Sequence, residues 1–267
     1  MRLCTFRDDG GTRLGAVDGD RVTPLAGRDV RDAIGAGPPA AAGPAVALGE
    51  VELLPPLVPG KIVGIGWNYL EHIAEMGGER PLEHPRVFAK LTTAVTGPSG
   101  PVVKPRYTDQ LDYEGELAVV IGRRARDVPV ERALEHVFGY AVMNDVSARD
   151  RQQDEVQWIR AKGGDTFAPW GPWVTTADEV PDPQALALRT WVNGELRQDA
   201  TTAWMIFPVA ELIAWCAASF TLEPGDVIAT GTPPGVGAGR TPPAFLEPGD
   251  RVRIEIDGLG ALEHAVA

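Results

Sequence analysis

Two glutamates are spaced so that they can meet around one cation. Glu114 and Glu116 lie in the segment 111–121, whose apolar second half predicts a strand with both carboxylates on one face. Residues two apart in a strand are separated by about 6.5–7 Å, so flexible side chains can converge. Carboxylates near an apolar interior repel each other unless a cation or a proton intervenes, which favours a metal site. A half-exposed edge strand with salt-bridged glutamates is the alternative, and this segment alone leaves it open.

A third acidic candidate, Asp145, follows a short apolar run that predicts another strand. Functional side chains gather just beyond the ends of such elements. Ser147 and Asp150 predict a capped helix after this strand. On that helix Arg149 and Gln152, three residues apart, would project the same way. Taken alone, the segment favours an ordinary strand-to-helix turn.

Three oxygen ligands without a nearby Cys or His suit a hard ion. We therefore expect Mg²⁺ or Mn²⁺ at Glu114, Glu116 and Asp145, with Ca²⁺ possible and Zn²⁺ disfavoured. Three carboxylates leave coordination positions for water or for a chelating substrate.

A histidine and a glutamate lie on one face of a short predicted helix, Tyr69–Met76. His72 and Glu75 are three residues apart, and a carboxylate beside an imidazole makes it a better general base. Asn68 and Glu71 are expected to cap the helix start. A surface pair at the same spacing is the plainer alternative.

Lys162 lies in a glycine-flanked segment that can place its ammonium beside a developing oxyanion, although a lone lysine is usually solvated. A second loop, Thr230–Gly237, offers a hydroxyl and free amides that can hold a carboxylate. It lacks the Gly-Lys-Ser/Thr ending of a nucleotide-binding loop, so ATP binding is disfavoured.

The remaining pattern predicts a β-rich α+β fold, with a small N-terminal β-rich domain over residues 1–55 and a larger domain over 56–267 that contains the candidate catalytic residues. Gly35–Gly49 is expected to be a loop, either a linker or an ordered connection. Strands are predicted at Arg2–Phe6, Thr12–Val17, Val22–Pro24, Ile62–Ile65, Leu117–Ile121, Tyr140–Met143, Leu188–Val192, Val227–Thr230 and Val252–Ile256. Further helices are predicted at Val130–His136 and Val209–Ala217.

The composition of the chain indicates which partners and which cellular compartment to expect. The net charge of −12 argues against nucleic acid or an anionic membrane, because either would favour a basic surface. Cys4 and Cys216 are expected to be free thiols in a reducing compartment. The start of the chain does not look like a signal peptide, and no run approaches the apolar length of a spanning helix, so a cytoplasmic location is expected.

Taken together, five ordered motifs resemble the fumarylacetoacetate hydrolase family, and they cover the chain from about Lys61 onward. They are Asn68-Tyr69-x-x-His72-x-x-Glu75, Asp112-Tyr113-Glu114-x-Glu116-Leu117, Asn144-Asp145-x-Ser147-Ala148-Arg149-Asp150-x-Gln152, Lys162-x-x-Asp165-Thr166-Phe167-x-Pro169-x-Gly171-Pro172 and Thr230-Gly231-Thr232-Pro233-x-Gly235-Val236-Gly237. Any one of these motifs is common among proteins, but all five in this order are specific to that family.

The resemblance implies a mixed β-sandwich roll, usually a homodimer, with metal bound by the three acidic residues. It makes His72 and Glu75 a dyad on a mobile lid helix, and Lys162 an oxyanion-stabilising or proton-transferring residue. It also implies that four residues contact the substrate: Tyr69, Arg149, Gln152 and Thr232.

The reaction implied is hydrolysis of a C–C bond in an acylpyruvate-type 2-oxo acid, with the metal stabilising the enolate. Decarboxylation of oxaloacetate-like acids and isomerisation of 2-hydroxyhepta-2,4-diene-1,7-dioate-like acids are alternatives. A non-catalytic ligand-binding protein is a remote one. Gly164 stands where many family members have a bulkier residue, which predicts a looser loop around Lys162 and a larger pocket.

Overall fold

The computed structural model describes residues 1–37 and 39–267. The N-terminal part is built of short strands separated by Gly and Asp turns. They are β1 (Arg2–Asp8), β2 (Gly11–Asp18), β3 (Arg21–Pro24), β4 (Val46–Ala47) and β5 (Glu52–Leu54). Within the predicted loop Gly35–Gly49, Pro38 lies outside the described residues. The loop ends in β4, which pairs with β3, so an ordered connection is present there.

The rest of the chain supplies thirteen strands and four α-helices among the described residues. The strands are β6 (Ile62–Gly66), β7 (Arg86–Lys90), β8 (Val95–Thr96), β9 (Leu111–Asp112), β10 (Gly115–Ile121), β11 (Val137–Asn144), β12 (Ser147–Ala148), β13 (Ala168–Thr176), β14 (Ala187–Val192), β15 (Glu195–Thr201), β16 (Val227–Ala229), β17 (Arg251–Ile256) and β18 (Gly260–Ala265). The helices are α1 (Leu70–Glu75), α2 (Arg149–Asp154), α3 (Ile159–Lys162) and α4 (Val209–Ser219).

One large mixed sheet organises the molecule. Its order is β4-β3-β2-β1-β13-β11-β10-β16-β6-β7, with β5 beside β1 and β8 beside β13. The pair β16–β6 is parallel, whereas β10–β11 and β6–β7 are antiparallel. A second sheet, β15-β14-β17-β18, is antiparallel. The predicted β-rich α+β class is confirmed.

The N-terminal strands extend the main sheet, because β1 pairs with β13 as well as with β2. Whether residues 1–55 form a domain of their own stays a prediction. Strand β10 lies deep in the main sheet, and every residue of it is buried. Its run Leu-Ala-Val-Val-Ile is apolar on both faces, as expected of a strand covered on both sides.

The helical stretch predicted at Val130–His136 is present as a 3₁₀ helix. Two other local predictions were wrong. Asn68 does not cap α1, since its side chain donates to Thr230 O (2.8 Å) and accepts from Phe207 N (2.8 Å). Ser147 lies in β12 and donates to Asp145 O (2.9 Å), and α2 starts without a side-chain cap. In the last two cases a tertiary partner or a nearby carbonyl outcompetes the cap.

The pentapeptide Leu-Glu-Pro-Gly-Asp occurs twice and folds the same way both times. In each copy the aspartate accepts from the amide of the glutamate, at 2.6 Å in Leu222–Asp226 and 2.8 Å in Leu246–Asp250. The glycine in each copy has a positive φ, 86° and 101°, which a residue with a side chain rarely adopts. The two copies therefore form the same turn.

Among the described helices, none is long and apolar enough to cross a membrane. Both cysteines are free and buried, and burial raises the pKa of each thiol to about 12.

The two sheets meet closely at Gly115, which leads to a stability prediction. A Cβ built there would lie 2.5 Å from Thr190 Oγ1 and 3.1 Å from Ile254 Cγ2, both on the second sheet. We expect Gly115→Ala to lower the free energy of unfolding by about 1–3 kcal/mol through overpacking, measured by denaturant titration. Gly49→Ala is the control, because nothing lies within 4 Å of its Cβ position, and it should shift stability by less than about 0.5 kcal/mol. Equal stability of the two variants would contradict the close sheet packing.

Candidate active site

The three predicted metal ligands are brought together by the pairing of β10 with β11. Gly115 pairs with Asn144, and Asp145 N donates to Glu114 O (2.9 Å), so the two acidic residues are neighbours across the ladder. Glu116 lies two residues along β10. Ligand oxygens of Glu114, Glu116 and Asp145 all lie within 4.8 Å of one another, and all three residues are buried.

Glu116 shows most directly that the cluster suits a cation. Its Oε2 accepts from Gly231 N (2.9 Å), whereas Oε1 is buried without a partner among the described residues. Burial, followed by the charges of Asp145 and Glu114, raises the pKa of Glu116 well above its usual range. An orphaned carboxylate oxygen facing two other carboxylates fits a hard divalent cation. The residues present therefore fit the predicted metal.

Two buried lysines neutralise part of this acidic cluster. Lys162, the last residue of α3, donates to Glu114 Oε2 and Asp145 Oδ2, both at 2.7 Å. Burial alone would lower the pKa of Lys162, but Asp145 and Glu114 raise it above its usual value. Lys90 at the end of β7 also bonds Asp145, and burial lowers its pKa.

Lys90 was not found by sequence reasoning. A signal existed, since Arg86, Phe88 and Lys90 alternate with the exposed Val87 and Ala89 along β7. The period of two indicates an inward face that ends in an ammonium. Nothing in the sequence, however, shows that this face meets Asp145.

The predicted dyad is formed. His72 Nδ1 lies 2.7 Å from Glu75 Oε1, and Gly235 N donates to the other oxygen of Glu75 (2.8 Å). His72 is buried and lines one cavity with Glu114, Gln152, Lys162 and Thr232. A charged Glu75 beside Nδ1 favours the tautomer whose Nε2 is a free base.

The loop that was expected to offer free amides uses several of them within the protein. Its glycine amides donate to three carboxylates: Gly231 to Glu116 (2.9 Å), Gly235 to Glu75 (2.8 Å) and Gly237 to Asp112 (2.8 Å). These amides are therefore not available for a substrate carboxylate. The loop instead fixes one metal ligand and one member of the dyad.

Arg149 is held by Asp112 and by the acidic cluster. Its Nε donates to Asp112 Oδ2 (2.8 Å), and its Nη1 donates to Gln152 Oε1 (2.9 Å) and lies 2.6 Å from Glu114 Oε1. Arg149 and Gln152 thus project together, as predicted. Burial would lower the pKa of Arg149, but Glu114 and Asp112 raise it further above its usual value. Nη2 is buried without a partner in the described part of the chain.

Thr232 and Tyr69 are the two other predicted substrate contacts, and only Thr232 lines the cavity. The Thr232 hydroxyl donates to Gly115 O (3.0 Å) and accepts from Gln198 Nε2 (2.8 Å). Tyr69 is buried in the core instead. Burial and the charge of Glu116 raise its pKa, so the phenol lies near the acidic cluster.

The cavity is narrow, about 10 Å³, and partly exposed side chains form its rim. Trp67 and Trp158 form part of that rim. The predicted enlargement at Gly164 is wrong. A Cβ there would lie 2.9 Å from Tyr107 Oη and 3.1 Å from the Phe167 ring, so these side chains fill the space.

The fold and the site define a β-rich protein with a buried acidic cluster beside a histidine–glutamate dyad. Residues 61–267 match the family described as fumarylacetoacetate (FAA) hydrolase C-terminal, and residues 1–56 match the family described as Rv2993c-like, N-terminal. The chain belongs to the fumarylacetoacetate hydrolase family, as the motifs predicted.

Similar proteins carry different reaction names. Oxaloacetate tautomerase fahd2, mitochondrial, of Xenopus laevis is 46% identical over 220 residues, which are 81% of this chain and 69% of that protein. The structure of 2-hydroxyhepta-2,4-diene-1,7-dioate isomerase from Mycobacterium marinum is 38% identical with a TM-score of 0.86, covering 100% of this chain and 98% of that one. Fumarylacetoacetate hydrolase from psychrophilic Exiguobacterium antarcticum is 38% identical with a TM-score of 0.89, covering 100% and 99%.

Removing one charge from the cluster tests the metal site. We expect Glu116→Gln to weaken Mg²⁺ or Mn²⁺ binding by at least about tenfold, since even groups that only orient metal ligands contribute 10–100-fold. Isothermal titration calorimetry on the metal-free protein measures it. Glu131→Gln, at an exposed position, is the control. Unchanged affinity in Glu116→Gln would contradict the site.

A buried histidine behind the cluster generates a pH prediction. Asn144 Nδ2 bonds His264 Nε2 (2.9 Å), while Asn144 Oδ1 accepts from Glu114 N (2.9 Å). Burial lowers the pKa of His264 from 6.5 to about 4. The unfolded chain therefore takes up a proton first, and stability present above pH 6.5 is lost as pH falls toward 4.

This loss corresponds to about 3 kcal/mol of unfolding free energy. His264→Gln keeps an acceptor for Asn144 without titrating in this range. Denaturant unfolding at pH 7 and pH 4 should show a smaller loss in the variant. The same pH dependence in both proteins would contradict the buried neutral imidazole.

Proposed function

We propose that this protein transfers protons at the carbon beside the 2-oxo group of 2-oxo acids, interconverting keto and enol forms or shifting a double bond. The observation that carries the proposal is the orphaned Glu116 Oε1 beside Glu114 and Asp145, since Glu114 lines the cavity that also holds His72. The site thus combines a place for a cation with a base.

Glu114, Glu116 and Asp145 would hold the cation, and the all-oxygen set suits Mg²⁺ or Mn²⁺. When bound, it supplies a Lewis acid that polarises the 2-oxo group and stabilises negative charge on its oxygen. The neighbouring C–H bond then becomes acidic enough for an imidazole to remove its proton.

His72 moves the proton. Glu75 holds Nδ1 at 2.7 Å and is itself held by Gly235 N at 2.8 Å, so Nε2 is the basic nitrogen. Nε2 accepts the proton from carbon and returns it to oxygen or to another carbon, and Glu75 stabilises the imidazolium in between.

Arg149 and Lys162 bind the charged part of the substrate. The partnerless Nη2 of Arg149 donates to the substrate carboxylate. Lys162 now shares its ammonium between Glu114 and Asp145, and it lies close enough to the cavity to donate to a developing oxyanion. The names tautomerase and isomerase among the relatives agree with a proton-transfer reaction.

Hydrolysis of acylpyruvates is the second candidate. The relative from Exiguobacterium antarcticum, which carries the name fumarylacetoacetate hydrolase, matches with a TM-score of 0.89. The same dyad can deprotonate a water that attacks the second carbonyl. Decarboxylation, the homodimer and the absence of nucleic-acid or membrane partners stay predictions.

The dyad is tested with oxaloacetate tautomerisation and acetylpyruvate cleavage, both followed by absorbance with Mg²⁺ or Mn²⁺ and again with a chelator. We expect His72→Gln to lower the turnover rate by about 10²–10⁴-fold, the range of general acid–base catalysis. His84→Gln, at an exposed histidine outside the cavity, should keep the wild-type rate.

A wild-type rate of oxaloacetate tautomerisation in His72→Gln, or in the presence of the chelator, would contradict the proposal. Cleavage of acetylpyruvate without tautomerisation of oxaloacetate would favour hydrolysis in its place.

A further inference from the structure

One strand runs from the acidic cluster to two tryptophans that line the cavity. Arg86, Phe88 and Lys90 share the inward face of β7, while Val87 and Ala89 are exposed. Lys90 bonds Asp145 at the inner end, and Lys162 Nζ lies 5.0 Å from the Phe88 ring centroid. Four residues of strand span about 13 Å, so Arg86 stands at the outer end of this face.

The guanidinium of Arg86 is framed by two tryptophans of the cavity rim. Its Cζ lies 4.1 Å from the Trp67 ring centroid and 5.3 Å from that of Trp158. Both rings line the cavity that contains Glu114 and His72. Among the described residues, no acidic side chain pairs with Arg86, so its planar set of donors is open to an anion.

The backbone is shaped to hold this arrangement. A Cβ on Gly66 would lie 2.7 Å from the Trp158 ring and 3.6 Å from Arg86 Cδ, so the glycine leaves the room they occupy. Trp67 has a φ of 60°, a conformation that is strained for a bulky residue. Such strain is typical of functional sites, where the surrounding structure maintains it.

A second arginine over a tryptophan shows the contrast. Arg253 Cζ lies 5.9 Å from the Trp191 ring centroid, but Arg253 is paired with Glu255 (2.6 Å) and Glu263 (3.7 Å). Its charge is already satisfied within the chain. Arg86 likewise lies against tryptophan rings, but no carboxylate in the described part of the chain pairs with it.

We propose that Arg86, framed by Trp67 and Trp158, binds a second carboxylate at the far end of the substrate. The site then prefers 2-oxo dicarboxylic acids to 2-oxo monocarboxylic acids of the same length. The guanidinium fork matches a carboxylate bidentately, and the flanking rings exclude water from the pair. The inference rests on the proposed function, in which the acidic cluster and Arg149 bind the 2-oxo acid end.

The test compares length-matched ligands on the Mg²⁺-loaded protein by isothermal titration calorimetry. The pairs are 2-oxoglutarate with 2-oxopentanoate, 2-oxoadipate with 2-oxohexanoate, and 2-oxopimelate with 2-oxoheptanoate. Oxalate probes the metal end alone. At least one dicarboxylate should bind about tenfold more tightly than its partner, as expected of a charge-assisted hydrogen-bonded pair.

Arg86→Gln should abolish this preference while leaving the affinity for oxalate and for the monocarboxylates within about twofold of wild type. Arg253→Gln is the matched control and should keep the preference. Arg86→Lys keeps the charge without the fork, so it should retain a reduced preference. If Arg86→Gln loses its cooperative thermal unfolding, the lysine variant decides whether Arg86 sets the dicarboxylate preference.

The outcomes separate the two proposals. Failure of the wild type to bind oxalate would contradict the metal-dependent 2-oxo acid site. Normal oxalate binding without any dicarboxylate preference, or with a preference that survives in Arg86→Gln, would overturn the role of Arg86. In the lysine variant, a preference equal to that of wild type would overturn the bidentate contact.

Discussion

The charge balance of one buried cluster constrains the rest of this structure. Four carboxylates, those of Asp112, Glu114, Glu116 and Asp145, face only three cationic side chains, those of Lys90, Lys162 and Arg149. Isolated charges are costly inside a protein, so the unmatched carboxylate must hold a proton or meet a cation. Glu116 is that carboxylate, because no lysine or arginine bonds it. A divalent cation there reverses the sign of the cluster and leaves one positive charge for an anionic substrate.

The surrounding elements hold this cluster through backbone groups. The loop after β16 supplies amides to Glu116, Glu75 and Asp112, and Asn144 fixes the amide of Glu114. Amides fixed in the backbone do not reorient when charge moves, so they keep the carboxylates in place during a reaction. The same loop therefore connects the acidic cluster to the His72–Glu75 pair.

Local pattern singled out many residues of this site but left plainer alternatives open, and only the five ordered motifs joined them into one predicted site. The parts that were not predicted depend on tertiary partners. Alternation along β10 and the strand end before Asp145 brought out the acidic residues, and helical spacing brought out His72 with Glu75. Lys90 was missed because its contact with Asp145 depends on the pairing of β7 with β6. No local sequence pattern encodes that pairing. The predicted caps at Asn68 and Ser147 failed for a related reason. Both side chains have short polar groups that suit a cap, yet each finds another partner in the fold.

The site has a fixed end and an open end, and the selectivity proposed above belongs to the open end. The acidic cluster, its lysines and the amides of the loop are buried and interdependent, so a substitution there leaves an unpaired charge. The rim is different. Strand β7 is the last strand of the main sheet, and its outer residue Arg86 bonds none of the cluster. Side chains at that edge can change without disturbing the charge balance, so we expect substrate length and charge to be selected at the rim and the proposed enolate chemistry to stay at the inner end.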